Sequence, residues 1–105
     1  MRQFTPTQLA EYLENHQPAP FLLDVRESWE YEICALPNSI LIPMGGIVER
    51  LKELPEDKEI VVICHHGVRS MQVALYLGSN GLDVINLIGG VDAWARDVDK
   101  TMATY

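Results

Sequence analysis

Residues 59–70 read Glu-Ile-Val-Val-Ile-Cys-His-His-Gly-Val-Arg-Ser, and this stretch decides the fold prediction. The run from Ile60 to Ile63 is wholly β-branched and apolar, which is typical of a strand buried on both faces of a sheet. Helical spacing of apolar residues follows over 70–80. We therefore expect Cys64 to begin a short loop that leads from a central strand into the amino terminus of a helix.

The predicted position of Cys64 favours a reactive thiol. Ligands of open α/β sheets bind at the carboxyl ends of strands, and the free amides at a helix start attract negative charge. A thiol at such a place is shifted towards the thiolate. Arg69 adds a fixed positive charge, whereas His65 and His66 are cations only when protonated. The alternative is a cysteine that simply ends a core strand, but the glycine-containing loop and Arg69 favour the reactive interpretation.

The composition indicates one globular domain. The chain has 105 residues, of which 48% are hydrophobic and 22% charged, and two domains would each be too small. A net charge of −7 argues against nucleic acid or a membrane as a partner. No apolar stretch approaches the roughly 20 residues that span a bilayer, and no signal peptide is recognisable. With only two cysteines, the expected location is the reducing cytoplasm.

Strand and helix patterns alternate along the rest of the chain. Thr5-Pro6-Thr7-Gln8 is a capping box, which predicts a helix that ends near Asn15. Alternating strands and helices imply parallel strands with helical crossovers, hence an α/β sheet with helices on both faces. The polar segment 98–105 is predicted to be a loosely held tail after a domain over 1–97. The remaining predicted segments are strands over 21–26, 39–42 and 84–88 and helices over 28–33, 47–54 and from Gly90 onwards.

Five sequence motifs together resemble the rhodanese-like sulfurtransferases. They are Asp24 to Glu27, Trp29 to Glu32, Pro37 to Pro43, Cys64 to Ser70 and Leu87 to Trp94, in the order and spacing of that family. The resemblance covers nearly the whole chain and implies a single rhodanese-like domain with a parallel sheet of about five strands.

One segment departs from the family pattern. The family usually has Gly-His-Ile-Pro-Gly-Ala before its third strand, where this chain has Cys34-Ala35-Leu36-Pro37-Asn38-Ser39. Because Pro37 and the following apolar strand are present, we expect the fold to persist with a changed turn. Asn38 can adopt the left-handed conformation in place of the glycine.

The resemblance implies transfer of sulfane sulfur in two steps. Cys64 would take the outer sulfur of thiosulfate or a persulfide donor, and cyanide, a small thiol or a protein thiol would then accept it. The loop would bind the substrate through the residues that follow the cysteine, which are His65, His66, Gly67, Val68, Arg69 and Ser70. Neither a cofactor nor a metal is expected.

Two other functions remain open at this point. Cysteine phosphatases and arsenate reductases with a similar fold use five residues between cysteine and arginine, whereas four separate Cys64 from Arg69, which suits a smaller ligand. Rhodanese-like domains also occur as inactive binding modules, but those usually lack the loop cysteine. Both alternatives are therefore less favoured than sulfur transfer.

The remaining candidate residues are given mainly structural roles. Asp24 and Arg26 are expected to form bonds that hold loops in place. Cys34 could act as a resolving thiol, although a partly buried structural position is favoured. Adjacent histidines rarely ligate one metal ion, so His65 and His66 are instead expected to bind thiosulfate more weakly as they lose their protons near pH 6.5. The aromatic residues Tyr12, Trp29 and Trp94 are assigned to the core or the pocket wall.

Overall fold

A computed structural model describes residues 1–105, which form a five-stranded parallel sheet with helices on both faces. The strands are β1 (Arg2–Phe4), β2 (Phe21–Asp24), β3 (Ile40–Leu41), β4 (Ile60–Ile63) and β5 (Val84–Leu87), in the spatial order β1-β5-β4-β2-β3. The helices are α1 (Pro6–Asn15), α2 (Ser28–Ile33), α3 (Val68–Ser79) and α4 (Gly90–Asp97). The predicted α/β class is confirmed, and β4 is the central strand.

The alternation of side chains along β4 builds the two halves of the core. Ile60 and Val62 belong to one apolar cluster, which includes residues of α3, and Val61 and Ile63 belong to another, which includes residues of α1 and α4. Successive strand residues point to opposite faces, so an unbroken apolar run is what a sheet covered on both sides requires. Cys64 continues this alternation and lies in the cluster on the α3 side.

The sequence patterns missed one strand and misassigned one helix. Residues 2–4 form β1, which pairs with β5 at the sheet edge and leaves Arg2 and Gln3 exposed. The predicted helix over 47–54 is instead a set of turns with short 3₁₀ segments at Met44–Gly46 and Leu51–Glu53. Ile47 and Leu54 are buried as its spacing predicted, which shows that two apolar residues at this spacing can be buried without a continuous α-helix.

The segment 98–105 is not loosely held, contrary to the prediction. Val98, Met102 and Tyr105 pack against the cluster formed with α1 and α4. The segment follows α4 as turns and irregular chain, so no periodic pattern marks these three apolar residues in the sequence. The segment therefore lies against the domain, and the boundary between residues 97 and 98 stays a prediction.

The local turn and cap predictions agree with the structure. The side chain of Thr5 and that of Gln8 form a reciprocal capping box at the start of α1. Asn38 adopts a φ of 67°, so it takes the left-handed conformation expected where the family has glycine. None of the helices is both long enough and apolar enough to cross a membrane.

Candidate active site

Cys64 lies immediately after the central strand and before α3. Cys64 is 1% exposed, and the three residues that follow it make the turn into α3, which begins at Val68. The sequence predicted this placement. The thiol is therefore held at the carboxyl edge of the sheet, beside the amino terminus of a twelve-residue helix.

The start of α4 fixes the loop that carries the thiol. The amides of Val91 and Asp92 donate to the carbonyl oxygens of Cys64 (2.9 Å) and His65 (3.1 Å). A peptide group is planar and trans, so its N–H points away from its C=O. The N–H groups of His65 and His66 therefore point away from α4. A side chain at Gly90 would place a Cβ 2.2 Å from the Cys64 oxygen, which explains why a residue without one stands there.

One main-chain amide contacts the sulfur directly. The N–H of Gly67 donates to Cys64 Sγ at 3.0 Å, and Gly67 has a φ of 98°, which glycine adopts readily. The amides of Val68, Arg69 and Ser70, in the first turn of α3, donate to no protein acceptor. Such amides attract negative charge. The loop therefore presents several donors, of which Gly67 reaches the sulfur itself.

Ser70 and Asn86 lie on another side of the sulfur. Cys64 Sγ is 3.3 Å from Ser70 Oγ, which donates to Asn86 Oδ1 at 2.6 Å. Both residues are buried. Asn86 was missed by the sequence reasoning, although one amide inside an otherwise apolar strand pattern was a detectable signal.

Arg69 does not present a free positive charge to the loop, in contrast to the sequence expectation. Its guanidinium makes two hydrogen bonds to the Glu30 carboxylate, at 2.7 and 2.8 Å. These bonds lower the pKa of Glu30 to about 2, against the opposing effect of burial. Glu30 was not assigned to the site from sequence, because the pairing joins residues 39 positions apart.

Asp24 and Arg26 form a fully buried ion pair at the end of β2. Arg26 Nη2 lies 2.8 Å from Asp24 Oδ2, and the guanidinium also donates to the main-chain oxygens of Glu30 and Cys34 and to the Tyr105 hydroxyl. Each of these hydrogen bonds joins Arg26 to another group of the protein itself. The pair therefore holds α2, the following segment and the chain end together.

The two cysteines are free and pack in different clusters. Cys64 belongs to the cluster on the α3 side, whereas Cys34 packs against the cluster on the other face of the sheet. This separation argues against a disulfide between them and favours the structural role for Cys34.

The two loop histidines have different environments. The His65 ring stacks on Tyr105, with ring centres 3.8 Å apart, and its buried Nε2 has no hydrogen-bond partner. Burial lowers the pKa of His65, and the neighbouring His66 lowers it further, so His65 is neutral at pH 7. His66 is exposed, with its Nε2 3.9 Å from the Asp92 carboxylate.

The structure also brings three potential metal ligands together. Donor atoms of His65, His66 and Asp92 lie within 4.8 Å of one another, which the sequence analysis did not anticipate. However, the two imidazole rings face each other, with centres 3.8 Å apart and planes tilted by 30°. The nitrogen lone pairs lie in the ring planes, so this arrangement does not direct them at one ion.

The aromatic predictions hold for two of three residues. Trp94 is 7% exposed and packs in the core, and Tyr12 is half-buried near Phe4. Trp29, however, is 59% exposed and contacts the Tyr105 ring edge-on. The buried position of α2 is occupied by the next residue, Glu30.

Comparison with known proteins identifies relatives along almost the whole chain. A Bacillus subtilis protein named "Putative sulfurtransferase YtwF" is 37% identical over 94 residues, 90% of either chain. A protein of Allochromatium vinosum named "Sulfurtransferase" is 40% identical over 76 residues, 71% of either chain. The crystal structure of a rhodanese-related protein from Thermoplasma volcanium superposes with a TM-score of 0.86 at 34% identity, covering 93% of this chain and 94% of that one. The family model described as "Rhodanese-like domain" matches residues 5–97 of the sequence. The chain therefore belongs to the rhodanese-like domain family.

Proposed function

We propose that this protein transfers sulfane sulfur through a persulfide on Cys64. The observation that carries the proposal is the N–H of Gly67, which donates to Cys64 Sγ at 3.0 Å beside the first turn of α3. A donor at that distance stabilises the thiolate, which is the nucleophilic form. Membership of a family whose relatives are named sulfurtransferases supports the same conclusion.

The first step loads the enzyme with sulfur. The Cys64 thiolate attacks the outer sulfur of thiosulfate, the new Sγ–S bond forms, and sulfite leaves with the electron pair of the broken S–S bond. With a thiol persulfide as donor, a thiolate leaves instead. The negative charge then lies on the terminal sulfur, where the free amides of the loop act as an oxyanion hole would.

The second step removes the transferred sulfur from Cys64. Cyanide or an acceptor thiolate attacks the terminal sulfur, and Cys64 leaves as the thiolate with the electron pair of the Sγ–S bond. The product is thiocyanate or a new persulfide. No external oxidant or reductant is needed, and no step uses a cofactor.

The charges around the loop favour a thiol persulfide over thiosulfate as the natural donor. Arg69 is paired with Glu30, His65 is neutral at pH 7 because burial lowers its pKa, and the chain carries a net charge of −7. A dianion such as thiosulfate then depends mainly on main-chain amides and on His66. The acceptor would be a small thiol or a protein thiol.

Phosphate-ester or arsenate chemistry fits the site less well. Four residues separate Cys64 from Arg69, which makes a smaller ring than the five of the phosphatase loops. In addition, both terminal nitrogens of Arg69 are engaged by Glu30 and are not directed at an anion in the loop. A purely binding role is disfavoured because the nucleophile is present.

Both cysteines are free thiols, and the proposed reaction requires Cys64 to remain one between turnovers. A reducing compartment such as the cytoplasm provides that condition.

Intact-mass measurement tests the covalent step. Incubation with thiosulfate, or with glutathione persulfide as a second donor, should add one sulfur, about 32 Da, that cyanide removes. Cys64→Ala should show no gain, whereas the matched variant Cys34→Ala should gain as the wild type does. No gain with either donor would refute the proposal. Hydrolysis of p-nitrophenyl phosphate that is lost in Cys64→Ser would favour the phosphatase alternative.

A further inference from the structure

The side chains of Ser70 and Asn86 form a buried polar pair that the proposed reaction does not use. Ser70 is 0% exposed and Asn86 is 2% exposed. Asn86 stands in β5, where the other three residues are apolar and buried. A buried amide is costly unless it is hydrogen-bonded, and this one bonds to Ser70 and to Gln3. The pair therefore connects the sheet to the thiol of Cys64.

The distances fix which atom donates in this pair. Ser70 Oγ and Asn86 Oδ1 are 2.6 Å apart, a separation typical of an O–H···O bond and shorter than that of an N–H···O bond. The Asn86 Nδ2 group lies 3.4 Å from Gln3 Oε1, a long contact that is consistent with the same orientation of the amide. The hydroxyl proton of Ser70 is therefore directed at Asn86.

This arrangement makes Ser70 an acceptor towards the sulfur. Serine has one hydroxyl proton, and Asn86 takes it, so the 3.3 Å contact with Cys64 Sγ uses the thiol as donor. The two contacts of the sulfur thus have opposite effects. The Gly67 N–H stabilises the thiolate, whereas the Ser70 oxygen stabilises the protonated thiol.

We propose that Asn86 is a positioning residue that holds the Ser70 hydroxyl as an acceptor and thereby opposes ionisation of Cys64 in the resting protein. The thiolate has no proton to donate, and Ser70 cannot turn its own proton towards the sulfur without breaking its bond to Asn86. The importance of this control for catalysis rests on the proposed function, but its effect on the thiol can be measured without sulfur transfer.

The charged groups near the site lie outside this pair. The positive charge of Arg69, in α3, interacts electrostatically with Cys64. Arg69 is also paired with Glu30 of α2. The loop contributes His65 and His66, and α4 contributes Asp92. At the end of β2, Asp24 is paired with Arg26. None of these side chains hydrogen-bonds Ser70 or Asn86, so replacing Asn86 leaves those pairings in place.

The test measures alkylation of Cys64 by iodoacetamide as a function of pH. A Cys34→Ala background makes Cys64 the only thiol that can react. Asn86→Leu removes the acceptor and frees the Ser70 proton to donate to the thiolate. The midpoint of the pH profile should fall by about one unit, the effect of one charge-assisted hydrogen bond. Asn86→Asp retains an oxygen acceptor and should leave the midpoint at or above that of the parent.

A double-mutant cycle separates this control from a general structural effect. In a Ser70→Ala background, Asn86→Leu should no longer lower the midpoint, because the hydroxyl that transmits the effect is gone. Circular dichroism and thermal unfolding establish that each variant is folded. If Asn86→Leu does not fold, the midpoint of Asn86→Asp is the one compared with the parent. Three results would overturn the inference. They are an unchanged or raised midpoint in Asn86→Leu, a lowered midpoint in Asn86→Asp, and a fall in midpoint caused by Asn86→Leu that is equally large in the Ser70→Ala background. The persulfide mass gain is measured separately, so its failure would refute the proposed function alone.

Discussion

The guanidinium of Arg69 and the carboxylate of Glu30 form two parallel hydrogen bonds, of 2.7 and 2.8 Å, between α3 and α2. Glu30 is almost fully buried, whereas Arg69 is about one-third exposed. The pair neutralises the positive charge of Arg69 in the first turn of α3 and ties the loop that follows β4 to the helix that follows β2. Its main contribution is therefore to hold the loop in place.

Glu30→Gln should destabilise the protein by about 2 kcal/mol at pH 7, because it breaks a charge-assisted pair. Arg69 lowers the pKa of Glu30 to about 2 from 4.5. The carboxylate therefore contributes its full stabilisation above pH 4.5, and this is lost as the pH falls towards 2. Thermal unfolding should show a difference between wild type and variant that shrinks over that interval. Glu32→Gln, at an exposed acid two residues on, is the control, and a difference that persists at pH 2 would contradict the assignment.

Gly90→Ala should destabilise the fold by about 3 kcal/mol, because it adds strain at a positive φ to overpacking of the loop. Its Cβ would lie 2.2 Å from the Cys64 oxygen and 2.5 Å from the His65 carbonyl carbon. Gly45→Ala is the matched control, since a Cβ there meets nothing within 4 Å, and it should cost less than about 1 kcal/mol. Urea unfolding measures both, and equal costs would show that α4 does not approach the loop this closely.

Tyr105→Ala should raise the pKa of His65 towards 6.5. Burial is the main cause that lowers it, and the Tyr105 ring covers one face of the imidazole. An NMR titration of the imidazole carbon-bound protons measures the change. Tyr105→Phe retains the ring, so the pKa of His65 should stay lowered, while loss of the hydroxyl bonds to Arg26 and Glu30 costs about 1–2 kcal/mol of stability. An unchanged His65 titration in Tyr105→Ala would mean that the tyrosine does not cover it.

His66→Arg should lower the KM for thiosulfate at pH 8 by about threefold, the effect of one exposed fixed charge. Histidine loses its charge within the pH range 5–8, so the wild-type KM should rise over that range. The arginine variant should show a flatter profile from pH 5.5 to 8. His16→Arg, at an exposed position on the C-cap of α1, adds the same charge elsewhere and should leave the profile unchanged. A wild-type KM that is flat with pH would rule out a histidine contribution.

Local sequence patterns predicted the elements that local physics determines. The β-branched run from Ile60 to Ile63, the loop entering α3 and the capping box at Thr5 all depend on neighbouring residues, and each lies where it was expected. The strand β1 was missed because three residues at a sheet edge carry no periodic signal, and it forms through its pairing with β5.

The parts of the site that were missed depend on long-range pairing. Glu30 meets Arg69 across 39 positions, Asn86 meets Ser70 across 16, and Tyr105 meets Arg26 across 79. Nothing in the spacing around any of these residues indicates its partner. The position of Cys64 at the end of the central strand could be predicted from sequence, but the side chains that surround its sulfur could not.

The hydrogen bonds from Val91 and Asp92 to the carbonyls of Cys64 and His65 make the loop and α4 one cooperative unit of local unfolding. The loop cannot fray by itself, because releasing it requires the first turn of α4 to open as well. Hydrogen exchange at these two amides therefore reports how often the loop that carries Cys64 leaves its place. Any substitution that loosens the packing of Trp94, a buried residue of α4, also shortens the time for which the thiol of Cys64 stays in this position.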